Sequence, residues 1–130
     1  MKPEIEASFF IIYVANQAIS KAFYSELLNS QPVIDVPGMT EFNIGDKMKL
    51  GIMPETGIAT IICPTAPHPN KASGIPRCEI YLRVSDAQLY LERAIKLGAK
   101  KISAVEPRNW GDNVAYVSDP DGHILAFASR

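Results

Sequence analysis

The sequence predicts an α+β chain built as two βαβββ modules, and three observations carry that prediction. Val14-Ala15-Asn16 and Val84-Ser85-Asp86 lie 70 residues apart, each joining a β-prone run to a helical run through an Asx residue suited to capping. Residues 110–127 place two short apolar runs around Asp119-Pro120-Asp121-Gly122, a hairpin signal in which proline presets φ, aspartate caps its own turn and glycine accepts positive φ. Between the two patterns, residues 55–76 are rich in proline and glycine and read as a connection. The modules then span about residues 7–54 and 77–128 of one domain.

Composition narrows the function. A chain of 130 residues, 47% apolar and 21% charged, is long enough to bury about two thirds of its unfolded surface. Thirteen basic against fourteen acidic residues give a net charge of -1, which excludes electrostatic attraction to nucleic acid or an anionic membrane. Glu4 and Glu6 stand where a secretory leader needs positive charge, and the apolar run 9–15 is far short of the roughly 20 residues that span a bilayer. The expectation is a cytoplasmic protein. Cys63 and Cys78 lack metal-ligand spacing and read as reduced thiols packed as small hydrophobes.

In chain order, residues 8–14 are β-branched and aromatic and form a strand, and Asn16 caps a helix over 17–28. Its apolar positions are Ile19, Ala22, Phe23 and Leu27, with Lys21 and Glu26 facing solvent and Asn29-Ser30 ending it. Strands follow over 32–36, 39–44 and 48–53, separated by Pro37-Gly38 and Gly45-Asp46. The connection carries one short strand over 58–63, and His68, between Pro67 and Pro69, reads as an exposed loop histidine. The pattern then repeats: a strand over 78–84, the Asp86 cap, a helix with Ala87, Leu91, Ala94 and Ile95 as its stripe, and Gly98 closing it. A strand over 101–105, a loop over 107–111 and the final hairpin complete the second module.

The two joins, Phe23-Tyr24, Gly98, Trp110-Gly111 and the Asp-Pro-Asp-Gly hairpin together resemble the glyoxalase, bleomycin-resistance and extradiol-dioxygenase superfamily, the vicinal oxygen chelate fold, over essentially the whole chain. The resemblance implies modules related by a pseudo-twofold, with curved mixed sheets that form a cleft for a small molecule, often a metal, and frequently a homodimer. It also implies four metal-ligand positions, which fall here on Phe9, Glu79 and Ala126 and, in the first module's last strand, near Gly51. Only Glu79 can donate an electron pair, whereas a divalent site needs three or more O, N or S ligands. The expectation is no metal and no other cofactor.

Strand alternation assigns the faces. Ile80, Leu82 and Val84 meet the helix, turning Glu79, Tyr81 and Arg83 to the ligand side. By the repeat, Phe10, Ile12 and Val14 pack inward, and Phe9, Ile11 and Tyr13 line the ligand side. Trp110 stands at its rim, while Gly51 and Ala126 leave space. A carboxylate among aromatic rings suits a cation or aromatic amine. Arg83 lies about 13 Å along the strand from Glu79, so the two can engage opposite ends of one ligand. Alternatively Arg83 is a surface residue at a strand end, and Glu79 a water-bound or interface carboxylate.

Three functions compete. The first is a metal-independent small-molecule binder of the bleomycin-resistance type. The second is an enzyme, a glyoxalase-like lyase or isomerase or a dioxygenase-related one, with Glu79 as general base or as a metal ligand beside an unexpected one such as His123. The third is an interaction module without a ligand, which requires the ligand side to be filled.

Overall fold

The computed structural model describes residues 4–130; Met1 to Pro3, on which part of the leader reading rests, lie outside the described residues. Two units are resolved, one running to Lys71 and the second from Ala72 to Arg130. Each carries a four-stranded mixed sheet, and the three helices make the chain α+β. No helix among the described residues is long and apolar enough to cross a membrane.

In the first unit the run of β-branched and aromatic residues forms β1 (Ser8–Val14). Asn16 then turns the chain into α1 (Gln17–Leu28), its side chain accepting the Ile19 N–H at 3.0 Å. Asn29 adopts the left-handed conformation that ends the helix. Next come β2 (Ile34–Val36), β3 (Met39–Asn43) and β4 (Met48–Pro54), giving the order β1-β4-β3-β2 with β1 parallel to β4 and the other pairs antiparallel. Gln17 ties the helix start to the β2–β3 turn: its Nε2 donates to the Val36 carbonyl and the Thr40 hydroxyl, both at 2.9 Å, and its Oε1 accepts the Gly38 N–H at 3.0 Å.

Three expectations for this unit are corrected. The run 58–63 is not a strand: α2 (Glu55–Ile62) occupies it. A short apolar run cannot be assigned by periodicity alone. Pro54 at the helix entry and Glu55 in the first turn were the local helix signals, and the helix buries Ile58 and Ala59 while leaving Ile61 exposed. On α1 the buried face is Ser20, Phe23, Tyr24 and Leu27, so Ile19 and Ala22 face solvent, and small Ser20 lets the helix sit close. On β1, Ile12 and Val14 are buried but Phe10 is 53% exposed, because cover over this edge strand ends at Ile12.

The second unit repeats the plan. β5 (Glu79–Arg83) leads through Asp86, whose carboxylate accepts the Leu89 N–H at 3.1 Å, into α3 (Ala87–Lys96). Then follow β6 (Lys100–Pro107), β7 (Asn113–Ser118) and β8 (Ile124–Ser129), in the order β5-β8-β7-β6 with β5 parallel to β8. The register repeats as well, since Ile11 stands opposite Gly51 in one unit and Tyr81 opposite Ala126 in the other. Ala87, Leu91 and Ala94 pack inward as expected; Ile95 is exposed instead, and Tyr90 takes up the contact, its ring 5.7 Å from that of Phe127. In the β7–β8 turn the buried Asp119 carboxylate accepts the N–H groups of Asp121 at 2.9 Å and His123 at 2.8 Å, the self-capping read from the sequence. Both cysteines are free thiols, Cys63 half-buried and Cys78 exposed, so Cys78 is not the packed residue expected: it lies just ahead of β5, outside the sheet.

Candidate functional site

The second sheet has one face toward α3 and one away from it, and strand alternation sorts its residues. Ile80, Leu125 and Phe127 are buried on the helix side. Glu79, Tyr81 and Arg83 take the other side, with Ala126 and Ala128 of β8 opposite Tyr81 and Arg83, and Tyr116 and Val114 of β7 opposite those alanines. The predicted register of Glu79 and Ile80 therefore holds.

Over this face folds the loop between β6 and β7. The Gly111 N–H donates to the Arg108 carbonyl at 3.1 Å and the Arg108 N–H to the Asp112 carbonyl at 2.9 Å, with Gly111 at φ +102°. The loop carries Asp112 and Trp110 across to β5. One oxygen of Asp112, Oδ2, accepts the Tyr81 hydroxyl at 2.5 Å and Arg83 Nη2 at 2.9 Å. The Trp110 indole N–H in turn donates to the Tyr81 hydroxyl oxygen at 3.0 Å.

The electrostatics follow from that geometry. The Asp112 side chain is only 5% exposed, and such a buried carboxylate is costly unless paired. The Tyr81 hydroxyl first and the Arg83 guanidinium second hold its carboxyl below the ordinary range, against the opposite push of burial. Burial, and then the bond to Asp112, raises the Tyr81 phenol, so it stays protonated and is no base. Arg83 is likewise held more firmly in its charged form by Asp112.

The other expected site residues fall as follows. Phe9, Ile11 and Tyr13 are all at least a third exposed, and the Lys49 ammonium lies 5.5 Å from the Phe9 ring centre. Gly51 does not leave space: a Cβ there would stand 2.9 Å from Ile11 Cγ1, because the Ile11 side chain already covers it. Nor does Ala126, which is fully buried in a cluster with Val114 and Ala128 against which Tyr116 packs. Tyr116 is held by Arg108, whose guanidinium lies 5.2 Å from the ring centre while Nη2 donates to Ser103 Oγ at 2.7 Å and the Val114 carbonyl at 2.9 Å. Trp110 is 56% exposed. Glu79 is exposed and, among the described residues, has no side-chain partner. His68 is half-buried, not exposed as expected, since its Nδ1 folds back to accept the Asn70 N–H at 3.1 Å.

Asp112, Arg108 and Tyr116 were not identified from the sequence. The signal for Asp112 was its place next to Trp110-Gly111 in a hairpin loop, which makes it a short acidic arm at a sheet end.

The donor set does not fit a divalent ion. Of Phe9, Gly51, Glu79 and Ala126 only Glu79 carries a ligand atom, and two of the other three positions are covered by Ile11 and Tyr116. Among the described residues no three His, Cys, Asp or Glu side chains gather closely enough to share a metal.

Comparison with known proteins agrees with this architecture. A glyoxalase-related enzyme from Fulvimarina pelagi is similar at a TM-score of 0.81 and 18% identity, covering 95% of this chain and 87% of its own. A glyoxalase/bleomycin resistance protein/dioxygenase family enzyme from Burkholderia phytofirmans gives 0.76 at 15% identity, over 93% and 95% of the two chains. At those identities the likeness is one of fold. A solution structure from Agrobacterium tumefaciens is 28% identical over 93% of each chain, with a TM-score of 0.72. An uncharacterized protein of Mycobacterium bovis is 38% identical over 55 residues, 42% of this chain and 36% of its own length. The chain thus spans about a third of the length of the curated relatives it matches. The family model of the glyoxalase-like domain matches residues 7–129, so the chain belongs to that family, within the glyoxalase, bleomycin-resistance and dioxygenase superfamily.

Proposed function

We propose that the protein binds a small aromatic molecule without a metal, on the face of the second sheet that carries Glu79, Tyr81, Arg83 and Trp110. The observation that supports this most is the exposed aromatic pair Tyr81 and Trp110, joined at the Tyr81 hydroxyl, which itself donates to the buried Asp112 carboxylate. Rings fixed in this way offer apolar surface at low entropic cost, and the unpaired Glu79 beside them supplies a counter-charge for a cationic ligand. Phe9, Ile11 and Tyr13 form an equivalent apolar stripe on β1 and extend the same reading to the first module. The protein acts as a homodimer in this proposal, as the superfamily resemblance implies, and works in the cytoplasm.

Trp110 is the chain's one tryptophan, so its fluorescence reads the site directly. Titration with benzylamine and related aromatic amines, followed by fluorescence and calorimetry, should saturate. Glu79→Gln should weaken a cationic amine by roughly two- to fivefold, the range for an exposed ion pair. No saturable response to any amine refutes the proposal. Elemental analysis should find less than stoichiometric nickel, zinc, iron or manganese, and a tightly held ion with Glu79 among its ligands would favour an enzyme instead.

One observation favours a second reading, an interaction module. Ile11 covers Gly51 and Tyr116 covers Ala126, which is the filled surface that reading requires.

A further inference from the structure

Glu79, Tyr81 and Arg83 alternate along one strand on one face, and each has a different bonding capacity left over. The Tyr81 hydroxyl is used twice, as donor to Asp112 and as acceptor from Trp110, so only its ring is available. Arg83 uses Nη2 on Asp112 and makes no other ion pair among the described residues; its side chain is 53% exposed, with the Nη1 and Nε donors open. Glu79 has its whole carboxylate open. The face therefore presents an acceptor, a ring and a donor fork in that order, over about 13 Å of strand.

A ligand with a single charge leaves one end of this row unused. An anion near Glu79 meets a like charge, and a cation near Arg83 does the same. From this order we infer that the site takes a dipolar ligand, a short peptide or peptide-like zwitterion with an aromatic middle, its amine on Glu79 and its carboxylate on Arg83. This rests on the small-molecule reading above and names its ligand class. The fit in length is good: an extended tripeptide spans about 10 Å, and the long Glu and Arg side chains close the remaining gap. Asp112 is the positioning residue, because it fixes the direction of the guanidinium and the ring while itself staying buried.

The test uses the intact protein and the tripeptide Gly-Phe-Gly in four forms: free, N-acetylated, C-amidated and doubly capped. Trp110 fluorescence is excited at the red edge of the indole band, where phenylalanine does not absorb. Each single cap should weaken binding by roughly two- to fivefold, and the double cap by about the product. In Glu79→Gln the N-cap should lose its effect while the C-cap keeps its own, a pattern that a general loss of structure would not produce. Equal affinity for free and doubly capped peptide overturns the inference and leaves small-molecule binding standing. So does a penalty from one cap only, which would mark a singly charged ligand. No response to any of the four also overturns it, and with silence toward the aromatic amines it removes the functional reading too.

Discussion

Replacing Gly51 by alanine decides whether the centre of the first sheet is open or filled. The new Cβ would stand 2.9 Å from Ile11 Cγ1 and 3.4 Å from Met39 Sδ. Ordinary carbon contacts begin at about 3.5 Å, so the overlap with Ile11 is at least roughly 0.6 Å. Met39 is flexible enough to yield, but Ile11 is β-branched with a stiff χ1 and sits directly opposite Gly51 in the β1–β4 pairing. Gly51→Ala should therefore destabilise by about 1–3 kcal/mol, the usual cost of overpacking. Ile11→Ala alone should cost about 1 kcal/mol, because Ile11 is 40% exposed and loses only part of a buried side chain's contribution. In the double variant the clash is absent, and the pair should be coupled by about 1–2 kcal/mol. Urea denaturation followed by far-ultraviolet circular dichroism measures all four corners of the cycle. Additivity within about 0.5 kcal/mol, or stabilisation by Gly51→Ala alone, would refute the reasoning and return Gly51 to the status of open space.

Gly122 and Gly98 both hold positive φ, +88° and +94°, but a Cβ at Gly122 would lie 2.8 Å from Gly74 Cα, whereas nothing lies within 4 Å at Gly98. Gly98→Ala should cost about 1 kcal/mol for backbone strain alone, and Gly122→Ala at least about 1 kcal/mol more; equal losses in denaturant would show that the loop at Gly74 yields. Because the folded-state pKa of Asp112 is depressed, its contribution is present above the ordinary carboxylate value of about 4 and is lost as pH falls through the lower folded value. Trp110 fluorescence should thus be constant from pH 8 to about 5 and change only on further acidification, a step that Asp112→Asn abolishes; a transition centred near neutrality would contradict the assignment. Asn16→Ala and Asp86→Ala should each cost about 1 kcal/mol in thermal or urea unfolding, and a negligible loss at either would show that its cap contributes nothing.

Features set by local backbone chemistry were legible in the sequence. The Asn16 and Asp86 caps, the Asp119 turn and the facing of Glu79 against Ile80 each depend on residues within a few positions of one another. The strand assigned to 58–63 failed for the opposite reason, since an apolar run of that length fits either state and only packing chooses. Asp112 was invisible because its partners lie 29 and 31 positions away. Gly51 and Ala126 were placed on the correct strands, but alternation tells which way a residue points and nothing about what lies over it. Ile11 lying over Gly51 and Tyr116 packing against the Ala126 cluster settle that. The same limit explains Phe10, whose parity is that of Ile12 but whose cover stops one turn of the pleat short.

The two halves are not the same length between matching points. The capping residues Asn16 and Asp86 are 70 apart, while Gly51 and Ala126, each facing the first strand of its sheet, are 75 apart. Five additional residues therefore separate cap and last strand in the second half, where β6 is longer than β2 and a loop over 108–112 replaces the tight join at Pro37-Gly38. Trp110 and Asp112 belong to that surplus. Duplicated architecture alone accounts for the positions of Tyr81 and Arg83, but their tether is a local elongation of one copy, and trimming it to the length of its twin should leave the sheet complete while setting both side chains loose.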